Sequence, residues 1–387
     1  MNNQASDLAT NLMAKPTIET TVEMNATQDE TTKRLSGIWQ DLLGIRSIGL
    51  DQNYFDLGGD SSLAVQLFAQ IEKVFDVKLP LATLFEAPTI AELAQILRRE
   101  GAPSDWSSLV AIQPEGSRPP FFCMHGAGGN VLIYRELSRH LGSDQPFYGL
   151  QSRGLDGASA PLTRIEDMAS IYLKEIRRVQ QRGPYLLGGY CLGGTVAFEI
   201  ARQLQAKGEQ ITLLALFDTM NWAKVGHPSM WGKSYNAWQK LYFHSANFLS
   251  LDFSGKKDFF LEKLKILWNR IPVWRGMLLG RLGENLSAEK SESRILGQIW
   301  QANDRAAAEY VPAPFAGMVT DFRPKKQYRM LSRPDLKWEK LAHGGQEVVV
   351  LPVYPAGMLV EPFVKHLAAA LRNSIDKAIL TAETKKS

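Results

Sequence analysis

"PYLLGGYCLGGTVAFEIARQL", residues 184–204, changes character at its centre. Tyr185 to Leu187 form a short apolar run that reads as a buried strand. From Gly194 onward the apolar residues recur at helical spacing. The join between them, Gly188 to Gly194, is a glycine-rich turn with Cys191 at its middle and Gly189 and Gly193 two positions to either side. Small residues at that spacing let a strand turn sharply into a helix while the central residue is held in a strained conformation. Cys191 is therefore the candidate nucleophile, and its place at a helix N-terminus is expected to favour the thiolate. The other cysteine, Cys123 within "FFCMHG", reads as an inert packed residue of a core strand.

Around the turn, short apolar runs alternate with helical patterns. "PPFFCMHGAGG", "PFYGLQ", "ITLLALFD", "GMVTDFR" and "QEVVVLPVY" read as strands. "YRELSRHL", "MASIYLKEIRRVQ" and "MLVEPFVKHLAAALRNSI" read as helices, which together make an α/β domain. The alternation lapses over about residues 219–316, a Trp-rich stretch with helical segments of the kind that form a lid or substrate channel. Upstream, residues 1–28 are polar and aperiodic and read as a disordered lead. Leu35, Ile38, Trp39, Leu42 and Leu43 then share one helical face, Leu63, Leu67, Ile71 and Phe75 another, and "TIAELAQILRR" makes a third helix of a small bundle. "LPLATLFEAP" reads as a connector, residues 102–116 as the linker between the units, and residues 381–387 as a tail.

With 387 residues, 45% of them hydrophobic, the chain can bury one medium and one small core. A net charge of +4 gives no case for nucleic-acid or membrane binding. The distribution is uneven: residues 29–100 hold 11 acids and 7 bases, whereas the chain beyond them carries a net +10. Two widely separated cysteines predict neither a disulfide framework nor a metal site. No signal pattern or membrane-length apolar run is evident, so a cytoplasmic location is expected.

"FDLGGDSSLAVQL", residues 55–67, has two readings. Either Asp60 or Ser61 merely caps the second helix, or Ser61 is a hydroxyl to be esterified by phosphate, whose charge a helix N-terminus favours. Through "LGGDS" and "LFEAPTIAELA", residues 29–101 resemble the peptidyl or acyl carrier domains of nonribosomal peptide and polyketide assembly lines. The resemblance implies 4'-phosphopantetheine on Ser61, its terminal thiol holding an acyl or aminoacyl thioester; Ser62 is out of register. It also implies a phosphopantetheinyl transferase, separate adenylating or acyl-loading enzymes and other carrier domains as partners. Residues 117–380 resemble the type I thioesterase domain that ends such assembly lines, an α/β-hydrolase. That resemblance implies Cys191 as nucleophile, Asp218 as the acid beside it, and an oxyanion hole from the backbone N–H groups of Ala127 and Leu192, with His125 bracing the loop "HGAGG".

The family's histidine is missing. It is expected three residues before the run Met358, Leu359, Val360, Glu361, Pro362, and that slot holds Pro355. His140, His244, His343 and His366 lie in poor places to replace it, and His227, shortly after Asp218, is the candidate substitute base. In a serine protease, losing the histidine alone costs about 2 × 10⁶ in turnover. A thiol depends less on a base than a hydroxyl does. The favoured reading is thus a didomain in which Cys191 takes an acyl group from the Ser61 arm and passes it to an amine, thiol or other acceptor. Two alternatives stand beside it: a hydrolytic thioesterase with an unorthodox base, and a carrier whose degenerate hydrolase domain serves only for docking.

Overall fold

The computed structural model describes residues 18–99, 106–221, 286–326 and 338–384, together with a few positions between 238 and 256. Helices α1 (Ile18–Leu43), α2 (Ser61–Phe75), α3 (Thr83–Glu86) and α4 (Ile90–Arg98) form the N-terminal unit. The predicted stripes are its core: Leu35, Trp39, Leu67 and Ile71 are fully buried, and Trp39 meets Tyr54 edge-on at 5.3 Å. Thr89 and Glu92 close a capping box at the head of α4. Two expectations are corrected here. Residues 18–28, read as part of a disordered lead, are the opening turns of α1. No proline or glycine falls between Thr17 and Ser36, so nothing in the chain stops the helix from running back that far. The connector "LPLATLFEAP" contains the short helix α3.

The larger unit is a seven-stranded sheet in the order β1-β3-β2-β4-β5-β6-β7. Its strands are β1 (Leu109–Gln113), β2 (Phe121–Met124), β3 (Phe147–Leu150), β4 (Tyr185–Tyr190), β5 (Ile211–Phe217), β6 (Val319–Pro324) and β7 (Gln346–Leu351). All pair in parallel except β1, which runs antiparallel to β3 at the edge. That edge strand lies inside the expected linker, so the linker is shorter than residues 102–116. Its five residues, with Val110 buried, Ala111 exposed and the other three in between, show no clear alternation and give little signal for a strand.

Side chains alternate across the sheet as a period of two requires. Phe122, Met124, Leu187, Leu214 and Leu216 pack under α6 (Ile165–Val179) and α7 (Leu192–Gln205). Phe121, Cys123, Leu186, Ala215 and Phe217 pack with α5 (Arg135–Leu141) and the last helix. Within the expected lid, α8 (Leu286–Glu309) is the long element described, and most of residues 222–285 lies outside the described residues. The final helix, α9, runs Val364–Thr384, six residues later at its start than expected and on into the expected tail. Pro362 cannot donate to a helical ladder, which keeps Met358 to Pro362 out of it. Among the described residues no helix is long and apolar enough to cross a membrane.

The two units touch. Leu132 joins the core of the helical unit, Arg135 lies over the Phe55 ring at 4.4 Å, and Ile295 and Leu296 of α8 share a cleft with Val65 and Phe68 of α2.

Candidate active site

The helical unit prepares position 61 by fixing the turn before it. Asp60 Oδ1 accepts the Leu63 N–H at 2.9 Å, so Asp60 caps α2. Tyr54 Oη donates to the Asp60 carbonyl at 3.1 Å. Gly59 sits so close to the Tyr54 ring that a Cβ there would lie 2.3 Å from it. This held turn leaves Ser61 in the first turn of a 15-residue helix, where the dipole favours a phosphate ester. The arrangement fits the phosphate end of 4'-phosphopantetheine.

In the α/β unit, the sheet register sets the two candidate residues, Cys191 and Asp218, side by side. Tyr190 pairs with Phe217, so Cys191 and Asp218 are the next residues off two neighbouring parallel strands. The Cys191 N–H donates to the Phe217 carbonyl and the Asp218 N–H to the Phe322 carbonyl, each at 2.9 Å. Both residues take left-handed backbone, φ 54° at Cys191 and 42° at Asp218, at a cost of about 1–3 kcal/mol each that the surrounding hydrogen bonds must cover. The glycine spacing has a visible cause. A Cβ on Gly193 would lie 2.1 Å from the Met124 carbonyl oxygen, and one on Gly189 would lie 2.2 Å from the backbone of Gly193. Bare backbone at both positions lets the elbow close against the loop that follows β2.

That loop, residues 125–129, is tied at both ends. His125 Nδ1 lies 2.7 Å from the Gly126 carbonyl and its Nε2 lies 2.7 Å from Tyr172 Oη. Burial holds the His125 imidazole neutral, its pKa lowered to about 4. With Nδ1 as the donor and Nε2 as the acceptor it braces the loop, and both ring nitrogens are occupied. The Gly126 carbonyl also accepts the Gly129 N–H at 3.0 Å. Tyr134 Oη donates to the Met124 carbonyl at 2.5 Å and accepts the Tyr190 N–H at 3.0 Å, joining the ends of the strands that carry loop and elbow.

The thiolate expected from the helix terminus is not found. Burial pushes the Cys191 thiol up to about 11, the Asp218 carboxylate adds to the rise, the Leu192 N–H opposes it, and Asp304 contributes a further upward push. A helix end lowers the cost of a negative charge only where nearby acids and lost water do not outweigh it. The Cys123 thiol is likewise raised by burial, as an inert core residue should be.

Pro355 opens the short 3-10 turn Pro355–Gly357 and is itself buried. The turn is locked: Asn247 Oδ1 accepts the Tyr354 N–H at 3.0 Å, and Asn247 lies against Gly357. Glu361 is held by His140 at 2.7 Å and Arg139 at 2.9 Å, which ties His140 into structure. His343 is exposed beyond the Trp338–Lys340 turn and His366 lies on α9. His227 and His244 lie outside the described residues. Sequence reasoning missed the contribution of α8, where Asn303 Nδ2 donates to the Ala127 carbonyl at 2.9 Å and Asp304 acts on Cys191. No local motif marks either residue.

Two families match. Residues 33–97 match "Phosphopantetheine attachment site" and residues 119–229 match "Thioesterase domain". Malpinin synthetase of Mortierella alpina is 46% identical over 48% of this chain and 2% of its own length. The dimodular nonribosomal peptide synthase of Bacillus subtilis (strain 168) is 42% identical over 48% of this chain and 8% of its own. The chain thus spans a small fraction of the length of these relatives. Among solved structures, holo-AB3403, a four-domain nonribosomal peptide synthetase bound to AMP and glycine, aligns at a TM-score of 0.55 with 25% identity, covering 89% of this chain and 26% of that one. The attachment-site match assigns the helical unit a covalent 4'-phosphopantetheine. The chain is a phosphopantetheine carrier domain followed by a thioesterase-family α/β domain, the pairing found in synthetases of the nonribosomal peptide type.

Proposed function

We propose that this didomain transfers an acyl or aminoacyl group from the carrier to Cys191 and then to an amine, thiol or other acceptor. The arm, attached through Ser61 by a phosphopantetheinyl transferase and charged by separate loading enzymes, supplies the acyl group as a thioester. Cys191 Sγ attacks the acyl carbonyl. The Sγ–C bond forms, the donor C–S bond breaks, and the donor sulfur leaves as a thiol with the proton that Cys191 gives up. Asp218, set beside Cys191 by the strand register, takes that proton as the sulfur attacks and hands it on. The N–H groups of Leu192 and Ala127 receive the negative charge that develops on the carbonyl oxygen. In the second half an amine attacks the acyl-cysteine, the Sγ–C bond breaks, and the thiol is restored.

The observation that carries the reading is the base position filled by a buried, braced proline beside a cysteine elbow. Water needs a base to become a competent nucleophile, whereas an amine or thiol does not to the same degree. The test uses the intact chain, a small acyl thioester, and intact-mass detection. The expected result is a stoichiometric adduct on Cys191, absent in Cys191→Ala, that persists in buffer and is discharged by added amine. Rapid loss to water would replace this reading with a hydrolytic one. No adduct would leave the domain as a docking partner for the carrier.

A further inference from the structure

From the contacts of α8, we propose that Asn303 is a positioning residue for acyl transfer, holding the oxyanion loop in its working conformation from across the insertion. This rests on the proposed function, since it assigns Asn303 to the same carbonyl-activating site. The donor N–H of Ala127 belongs to the peptide joining residues 126 and 127. That peptide is fixed through its carbonyl, Gly126 O, by His125 Nδ1 at 2.7 Å and the Gly129 N–H at 3.0 Å. The next peptide, joining residues 127 and 128, is held by Asn303 Nδ2 on the Ala127 carbonyl at 2.9 Å. Ala127 is flanked by glycines, which have the widest conformational freedom of any residue. Fixing the peptide planes on both sides of Ala127 sets its dihedrals, and with them the direction of its N–H.

Asn303 is fully buried, and among the described residues its Oδ1 has no hydrogen-bond partner. A buried asparagine whose oxygen has no hydrogen-bond partner among the described residues is a poor choice for stability, because burying a polar group without a partner costs free energy. The neighbouring contacts are apolar, with Ile299 and Trp300 of α8 lying on Gly129 and Gly128, and an aliphatic residue at 303 would suit them. What the amide adds is the bond to Ala127.

Two reactions of Cys191 separate positioning from packing. Acylation by a thioester develops negative charge on a carbonyl oxygen, but alkylation by iodoacetamide does not. Direct loss of an oxyanion donor costs about 10²–10³ in turnover, and displacing one is expected to cost about 10- to 100-fold. In Asn303→Leu, the acylation rate at saturating thioester should fall by that factor while KM and the alkylation rate stay within about twofold of the parent. Equal acylation in parent and variant overturns the proposal, as does a parallel fall in alkylation, which would mean a disturbed elbow. Should Asn303→Leu not fold, Asn303→Ala carries the same test, and failure of both to fold assigns Asn303 to packing instead. A parent chain that is never acylated at Cys191 overturns the proposed function itself, an outcome distinct from all of these.

Discussion

Replacing Asp218 by asparagine should move two reactions of the same sulfur in opposite directions. The side chain sits one residue beyond the pair Tyr190 and Phe217, on strands about 4.8 Å apart, so its charge lies within about 8 Å of Sγ. At that distance, an effective dielectric between about 20 and 80 gives a repulsion of about 0.5–2 kcal/mol between carboxylate and thiolate. Asp218→Asn removes it, and the thiolate population at neutral pH rises by about 2- to 30-fold. Iodoacetamide alkylation at pH 8, followed by intact mass, should accelerate by that factor. Acyl transfer should slow by about 10²-fold or more, because the group that receives the Cys191 proton during attack is gone. Both rates falling together would show that Asp218 holds the elbow in shape. Both rising would show that it is no base, and the route of the proton would have to be redrawn.

Four further outcomes test other parts of the site. With the Cys191 thiol at about 11, its alkylation rate should climb about tenfold per pH unit from 7 to 10, and Cys191→Ser should lose acyl capture by at least about 10²-fold in the adduct assay. A plateau below pH 9 would contradict the raised thiol. Pro355→His should shift the partition of the acyl-enzyme towards free acid by about tenfold, read as the ratio of acid to amide product; an unchanged ratio would mean that the missing base is not what limits hydrolysis. Tyr134→Phe removes two buried hydrogen bonds between strand ends, and should lower unfolding stability by about 1–3 kcal/mol in denaturant titration.

Much of this molecule can be read from residues close together in the chain. The elbow is such a case, because Gly189 answers a clash with Gly193 that arises within five residues, although the need for Gly193 itself comes from the distant Met124 carbonyl. Pro355 is another, since its slot is counted from the adjacent run ending at Pro362. What eludes the sequence depends on distance in the chain. Asn303 and Asp304 reach the site only through the packing of α8, more than a hundred residues from the elbow, and an Asn-Asp pair on an amphipathic helix looks like any solvated face. The raised thiol of Cys191 is hidden from the sequence for the same reason: a helix terminus is a local feature, but burial and the approach of Asp218 and Asp304 belong to the assembled fold. The strand β1 is hidden by its place at the sheet edge, where burial follows no clean alternation, and the start of α1 by polar residues that carry no stripe.

Helix α8 leans on carrier helix α2 near Ile295 and on the oxyanion loop at Asn303, about two turns further along. One helix thus touches both units, seated beside Val65 and Phe68 of the carrier at one end and bonded to the Ala127 carbonyl further along. A substitution that unseats α8 from the carrier is therefore transmitted along a rigid rod to the loop that follows β2, and the two units are not mechanically independent.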